Sequence, residues 1–304
     1  MTVEFHGLPV WKRMYGFGDM GTLRARMLTA LIGNVDRRAL AGALPVHPKL
    51  RVVPGSPLVV IQSDFLRAED NGDPDRNVYR YHEVMLAAVV HGVGGPVPSL
   101  FPLILFVDDP VIMASGREFY GFPKIFAEVE LGSRRASVRH TSFPDGVRTT
   151  REVLRATWSD APPLVLGTLA SAAQGVVELA RRAGVDADTL DFVRGLGTAP
   201  LGRVINLRQV PDLAQPRRAA RSELTVFKPK VVDPTPIRPI GEYVLELRDG
   251  PVWDLGRRFF RGEAPRTLTA FEWEATLLVT TGAVIDAWGD EAKAPPPKTR
   301  RPAR

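Results

Sequence analysis

The stretch Gly116-Arg-Glu-Phe-Tyr-Gly-Phe-Pro-Lys-Ile-Phe126 places one lysine, Lys124, among aromatic and aliphatic side chains. If the fold encloses this segment, desolvation penalises the ammonium form and can lower a lysine pKa by up to about 3–5 units. The neutral amine could then attack a ketone. Alternatively, the lysine lays its methylenes on the aromatic surface and keeps its charge in water. The pattern alone leaves both readings open.

Strand-like segments surround this stretch and recur along the chain. Residues 101–107 and 127–131 flank it, so Lys124 is expected in a loop or at the end of an element. Further strands are predicted at residues 57–62, 78–93, 203–210, 223–232, 243–248 and 272–279. Helices are predicted at residues 34–44, with Asn34 as N-cap, and at 165–184 and 188–194. Few helices between many strands favour an antiparallel α+β fold over repeating βαβ units.

Composition excludes several classes of function. The chain has no cysteine, which rules out disulfides, thiolate nucleophiles and cysteine-based metal sites. The net charge of +6 is concentrated at one end, since residues 289–304 contain five Lys/Arg against two Asp/Glu. We read those residues as a disordered basic tail and expect no nucleic-acid partner. Without a signal pattern or an unbroken apolar span, we expect a cytoplasmic protein with no membrane contact.

A glycine motif near the N-terminus is the main competing signal. Gly16-Phe-Gly18-Asp-Met-Gly21 fits the dinucleotide fingerprint, a helix-like run follows it, and Asp36 stands where a ribose-binding acid would be expected. The fingerprint needs a strand before it, however, and the preceding residues begin with Pro9. We therefore favour a flexible glycine-rich arm.

Other catalytic patterns are missing from the sequence. The five histidines form no His-Glu-x-x-His pair, so no metal ligands are predicted, and there is no nucleophile elbow or Walker loop. His82 lies beside Glu83, but neighbouring strand residues point to opposite faces. We expect His82 to be a half-exposed strand residue.

Two segments resemble the acetoacetate decarboxylase family. Members of that family carry Gly-Arg-Glu, a short spacer and then Phe-Pro-Lys or Tyr-Pro-Lys with the Schiff-base lysine, and residues 116–124 are similar to this pattern. Tyr81-His-Glu83 resembles the upstream segment that holds an active-site glutamate. A weaker likeness extends through residues 57–59, 205–211 and 272–288.

The resemblance implies one domain with a mainly antiparallel β-barrel-like core, peripheral helices and an enclosed apolar cavity. That domain would span residues 23–288, after an N-terminal arm at 1–22, with a helical insertion at about 162–200. The family implies a homo-oligomer and no metal or organic cofactor. In the acetoacetate decarboxylase family the lysine is activated by desolvation or by a neighbouring cation. The resemblance therefore implies the same activation for Lys124.

The resemblance also assigns roles to individual residues. Lys124 and Glu83 would be catalytic, and a small keto acid would be the substrate. Substrate contacts are predicted for Arg26, which would hold the carboxylate, and for Gln62, Phe122, Arg117 and Glu118. An ion pair that braces the loop is the alternative role for Arg117 and Glu118.

Two positions depart from the family pattern. Ile125 stands where related decarboxylases often have a second lysine, so depression of the Lys124 pKa by a like charge is lost. Gln62 aligns with the family's other active-site glutamate, and an amide cannot shuttle protons. Three hypotheses remain: a decarboxylase of acetoacetate or a related 3-oxo acid, an imine-using aldolase or dehydratase, and a non-catalytic protein that binds small acids.

Overall fold

The computed structural model describes residues 22–45, 47, 50–68, 78–91, 98–160, 203–211, 219–248, 254–278 and 283–289. The helices predicted at 165–184 and 188–194, the glycine motif at 16–21 and the basic tail beyond residue 289 lie outside these ranges.

The described residues form fifteen strands and three short α-helices. The strands are β1 (Thr22–Gly33), β2 (Arg51–Val52), β3 (Leu58–Ala68), β4 (Val78–His91), β5 (Ser99–Val107), β6 (Lys124–Phe126), β7 (Glu128–Leu131), β8 (Arg135–Ser142), β9 (Thr149–Asp160), β10 (Val204–Pro211), β11 (Ala219–Phe227), β12 (Lys230–Val232), β13 (Arg238–Leu247), β14 (Arg266–Leu278) and β15 (Ala283–Gly289). The helices are α1 (Arg37–Ala43), α2 (Pro110–Ser115) and α3 (Leu255–Phe260), with a π-helical turn at Gly116–Tyr120 and a 3₁₀ turn at Pro144–Gly146.

All fifteen strands belong to one connected sheet. Its order is β15-β11-β10-β5-β4-β3-β1-β14-β13-β9-β8-β7, with β12 on β14, β2 on β4 and β6 on β5. Only the β5–β6 and β5–β10 pairings are parallel among the described strands. The predicted mostly antiparallel sheet with few helices is therefore confirmed. The ladder has two free ends within the described residues, so the predicted barrel-like closure is only loosely supported.

The central strands separate two hydrophobic cores. Met27, Ile61 and Met85 face the first core, whereas Leu28 and Leu86, one residue further along their strands, face the second. Successive side chains of a strand point to opposite faces, so one strand can serve both cores. β5 is buried along nearly its whole length for this reason. The first core contains the cavity described below.

Two predictions near the N-terminus were wrong. The run after Gly21 reads as helix-like, but residues 22–33 form β1, which pairs with β3 and β14. This removes the helix that a dinucleotide fingerprint needs after its glycines. The N-cap of α1 is Asp36, whose carboxylate accepts from the backbone N–H groups of Arg38 and Ala39. Asn34 instead has a φ of 50° and bonds across to Ala264 and Arg266.

No helix in the described part of the chain is long and apolar enough to cross a membrane.

Candidate active site

A compact connection leads from β5 to the lysine. Asp109 caps α2 by accepting from the N–H groups of Val111 and Ile112, each at 2.8 Å, and Pro110 occupies the first helical turn. Asp as N-cap and Pro at the first position are both favoured at a helix start. The π-helical turn follows α2 directly, and Lys124 is the first residue of β6. Lys124 therefore lies at the end of an element, as predicted.

Two positions in this connection require glycine, because other atoms of the protein lie where a Cβ would be. Gly121 ends the π-helical turn at a φ of 71°, and a Cβ there would lie 2.7 Å from the backbone nitrogen of Arg208. At Gly116, a Cβ would lie 2.6 Å from Cδ of Lys124. The absence of a side chain at Gly116 thus leaves the space through which the lysine side chain passes.

Lys124 forms an ion pair with Glu83 inside the protein. Lys124 is only 8% exposed, and its Nζ donates to Oε1 of Glu83 on β4. The amine also lies over the ring of Phe122, with 5.7 Å between Nζ and the ring centroid. The alternative in which the lysine charge lies in bulk water does not agree with this burial.

The pair lines a mainly apolar cavity of about 130 Å³. Its polar residues are Ser63, Tyr81, Glu83, Ser115, Tyr120 and Lys124. Its apolar residues are Leu23, Ile61, Phe65, Met85, Leu105, Ile112, Phe122, Val204, Phe227 and Leu277, and Gly116 completes the wall. Among the described residues that line the cavity, only Lys124 and Glu83 carry charge. The opposite charges of the two groups compensate each other in an apolar setting, which disfavours an isolated charge.

A comparison with family models identifies the chain. Residues 25–254 match the model described as Acetoacetate decarboxylase (ADC). The chain belongs to the acetoacetate decarboxylase family. No curated protein sequence matches it.

Solved structures resemble this member of the acetoacetate decarboxylase family in fold. An acetoacetate decarboxylase from Legionella pneumophila subsp. pneumophila str. Philadelphia 1 shares 17% identity and a TM-score of 0.56, over 88% of each chain. An acetoacetate decarboxylase-like enzyme from Sphingomonas wittichii RW1 shares 17% identity and a TM-score of 0.59, over 88% of this chain and 93% of that one.

The enduracididine biosynthesis enzyme MppR, solved with pyruvate, shares 17% identity and a TM-score of 0.55, over 87% of this chain and 90% of that one. It has also been solved with the condensation product of pyruvate and imidazole 4-carboxaldehyde. At such identities the likeness concerns the fold alone.

Of the site residues predicted from the family resemblance, the structure brings together Lys124, Glu83 and Phe122. Arg117 belongs to the π-helical turn and is exposed. The side chain of Glu118 lies outside what the structure describes. Ile125 follows Lys124 on β6 and packs against the second core, so its side chain points away from the cavity.

Arg26 does not lie in the cavity. On β1, Leu23 lines the cavity and Ala25 belongs to the first core, whereas Arg26 points to the opposite face, where its guanidinium pairs with Glu272. The arginine side chain is 50% exposed there. The prediction that Arg26 holds the substrate carboxylate does not agree with this geometry, because alternate residues of a strand face opposite ways.

Gln62 also faces away from this cavity. Its neighbours Ile61 and Ser63 line the cavity, whereas its own Nε2 donates to the Tyr243 hydroxyl at 2.7 Å. Burial raises the pKa of that hydroxyl, so Tyr243 is a neutral partner. Ser63, not Gln62, lies directly opposite Glu83 in the pairing of β3 with β4. A glutamine at position 62 therefore removes no proton carrier from this cavity.

His82 and Glu83 point to opposite faces, as expected. Nδ1 of His82 lies 2.7 Å from Oδ2 of Asp108, and this hydrogen bond raises the histidine pKa. No group of three or more metal-ligating side chains is present within the described ranges.

The sequence reading missed several cavity residues. Tyr81 could have been found, because it lies two positions before Glu83 and so shares its face. Ser63 needed the pairing of β3 with β4 to be known. Phe227 and Leu277 come from distant strands and are ordinary core residues in sequence, so no local signal marks them.

Proposed function

We propose that this protein is a lyase that decarboxylates acetoacetate or a related 3-oxo acid through an iminium on Lys124. The observation that supports this proposal is the Lys124–Glu83 pair enclosed in an apolar cavity. Iminium catalysis needs an amine that can lose its proton inside the cavity, and an acid–base partner that can hold that proton and return it. The pair supplies both.

The first step is activation of the amine. The ammonium of Lys124 passes a proton to Glu83, with which it already forms a hydrogen bond. The apolar walls favour the neutral acid and the neutral amine over two separated charges once substrate displaces water. The lone pair on Nζ is then available for attack.

The remaining steps follow from imine chemistry. The Nζ lone pair forms a bond to the ketone carbon, and Glu83 donates the proton it received, so that the hydroxyl leaves as water and the iminium forms. Electrons of the bond between the α-carbon and the carboxylate move toward the nitrogen, carbon dioxide leaves, and an enamine remains. Glu83 takes up one proton from water and gives it to the α-carbon, and one water hydrolyses the resulting iminium to release the ketone and regenerate the ammonium of Lys124.

The cavity walls favour loss of the carboxylate. No guanidinium is among the described lining residues, so a substrate carboxylate would meet mainly apolar surface and the hydroxyl of Ser63 beside Glu83. Decarboxylation spreads that negative charge into the iminium and releases a neutral gas. A poorly solvated carboxylate is therefore destabilised relative to the transition state.

Other imine chemistry is the second candidate, as an aldolase or dehydratase. The same amine and acid would activate any small ketone, and MppR, solved with pyruvate and with a condensation product, has the same fold. A protein that only binds small acids is the third candidate. Formation of a covalent adduct separates the first two from the third, and release of carbon dioxide separates the first from the second.

The test is a parallel assay of both properties. In the first assay, purified protein is incubated with acetoacetate and the release of carbon dioxide is measured. In the second, the same mixture is reduced with borohydride and the intact mass of the protein is determined by mass spectrometry. We expect turnover and one adduct per chain in the native protein, and neither in Lys124→Ala. Lys228→Ala removes an exposed lysine and serves as the matched control, which should behave like the native protein.

Each outcome has a distinct meaning. An adduct without carbon dioxide, with acetoacetate and longer 3-oxo acids alike, would favour aldolase or dehydratase chemistry. Binding without any adduct would favour the non-catalytic reading. Turnover that persists in Lys124→Ala would refute the imine mechanism.

A further inference from the structure

The reactive groups occupy one part of the cavity. Ser63 lies directly opposite Glu83 across β3 and β4, and Glu83 holds the amine of Lys124. A substrate whose ketone carbon bonds to Nζ therefore has its polar atoms near these three side chains.

An apolar surface of the cavity lies next to Ser63, Glu83 and Lys124. Ile61 pairs with Met85, and Met85 pairs with Leu105, so the three side chains form a continuous row on the cavity face of β3, β4 and β5. Leu23 and Leu277, which pair across β1 and β14, add a second apolar patch to the wall. These side chains offer no hydrogen bond and no charge to a ligand.

The cavity is larger than acetoacetate needs. One water molecule needs roughly 10–15 Å³ of cavity space, so a cavity of about 130 Å³ has room for on the order of ten non-hydrogen atoms. Acetoacetate, whose ketone carries only a methyl group, would leave part of the apolar wall without contact. An unfilled apolar space loses dispersion contacts that a longer ligand would gain.

We infer that the preferred substrate is a 3-oxo acid whose ketone carries a straight alkyl chain longer than methyl, with propyl as the expected optimum. This inference rests on the proposed imine decarboxylation. The carboxylate end lies beside Ser63 and Glu83, and the alkyl chain lies on the row of Ile61, Met85 and Leu105. Each methylene that the wall removes from water favours the longer substrate by about fourfold in kcat/KM.

The test needs only the native protein. Carbon dioxide release and the rate of borohydride trapping are both measured with acetoacetate, 3-oxopentanoate, 3-oxohexanoate and 3-oxodecanoate. We expect kcat/KM and trapping rate to rise about fourfold per methylene from acetoacetate to 3-oxohexanoate and to fall at 3-oxodecanoate.

Variants of the wall sharpen the result. Leu277→Ala enlarges the cavity and should move the optimum to a longer chain. Leu86→Ala is the matched control, because Leu86 is equally buried but belongs to the second core, and it should leave the order of substrates unchanged. If Leu277→Ala fails to fold, the native series still decides.

The two readouts keep this inference distinct from the proposed function. A maximum at acetoacetate, in either readout, overturns the chain-length inference while leaving the decarboxylase proposal intact. Trapping that rises with chain length without carbon dioxide supports the alkyl site and overturns decarboxylation. No trapping with any of the four acids overturns both.

Discussion

The two faces of β3 and β4 use similar residues in different surroundings. Toward the cavity, Glu83 and Lys124 form one ion pair among apolar side chains. On the opposite face, Asp64 pairs with Arg80 at 2.6 Å, and His82 lies 2.7 Å from Asp108. The Arg80 side chain is largely exposed.

The difference between the faces lies in access to water. Exposed ion pairs are screened and typically contribute little to stability or reactivity. The enclosed pair is largely shielded from solvent, and in the proposed mechanism a proton transfer within it produces the reactive amine. Substitutions on the cavity face should therefore change catalysis, and those on the opposite face should leave catalysis nearly unchanged.

The largest effect is expected for Glu83→Gln. The amide cannot accept the proton of Lys124 or return one to the α-carbon, so kcat should fall by about 10²–10⁴. Asp64→Asn, the matched change on the opposite face of β3, should keep kcat within about twofold. Steady-state assays of carbon dioxide release measure both, and equal losses in the two variants would contradict the division between the faces.

A smaller loss is expected for Gly116→Ala. The new Cβ would overlap the Lys124 side chain and move the amine away from Glu83, which should lower kcat on the order of 10²-fold. Gly42→Ala is the control, because nothing lies within 4 Å of a Cβ at that position in α1. It should keep kcat and raise the free energy of unfolding by about 0.5–1 kcal/mol. Native activity in Gly116→Ala would refute the steric role of this glycine.

The smallest effect is a pH dependence on the opposite face. The hydrogen bond to Asp108 raises the pKa of His82 in the folded protein. Protonated His82 therefore stabilises the fold fully below about pH 6.5, the pKa of an unfolded histidine, and this stabilisation is lost as the pH rises through the higher pKa of the folded state. The free energy of unfolding from urea titrations should thus decrease across this window in the native protein. His82→Gln should flatten that decrease, and an unchanged slope would contradict the assignment.

The family resemblance named three residues, Lys124, Glu83 and Phe122, that the structure brings together at one cavity. Lys124 and Phe122 belong to the motif, and Gly116 within it leaves space for the lysine side chain, whereas Glu83 comes from β4. The strands predicted at 101–107 and 127–131 correspond to β5 and β7, whereas β1, β6, β8 and β9 were not predicted. Both faces of β1 become buried beyond its first residues, which hides the alternation by which a strand is recognised.

Face assignment was the point at which sequence reasoning failed. Arg26 and Gln62 were placed in the site by alignment, and a shift of one residue in a strand moves a side chain to the other face. Ser63 and Ala25, one residue away, have the cavity-side orientation. Leu277 and Val204 could not be predicted, because their place in the wall depends on how distant strands pair.

The most direct test of the account is to locate the covalent bond. After borohydride reduction in the presence of acetoacetate, peptide mapping by mass spectrometry should find the adduct on Lys124, with the exposed Lys228 and Lys230 unmodified. An adduct spread over exposed lysines, with Lys124 intact, would contradict the claim that the enclosed amine is the reactive one.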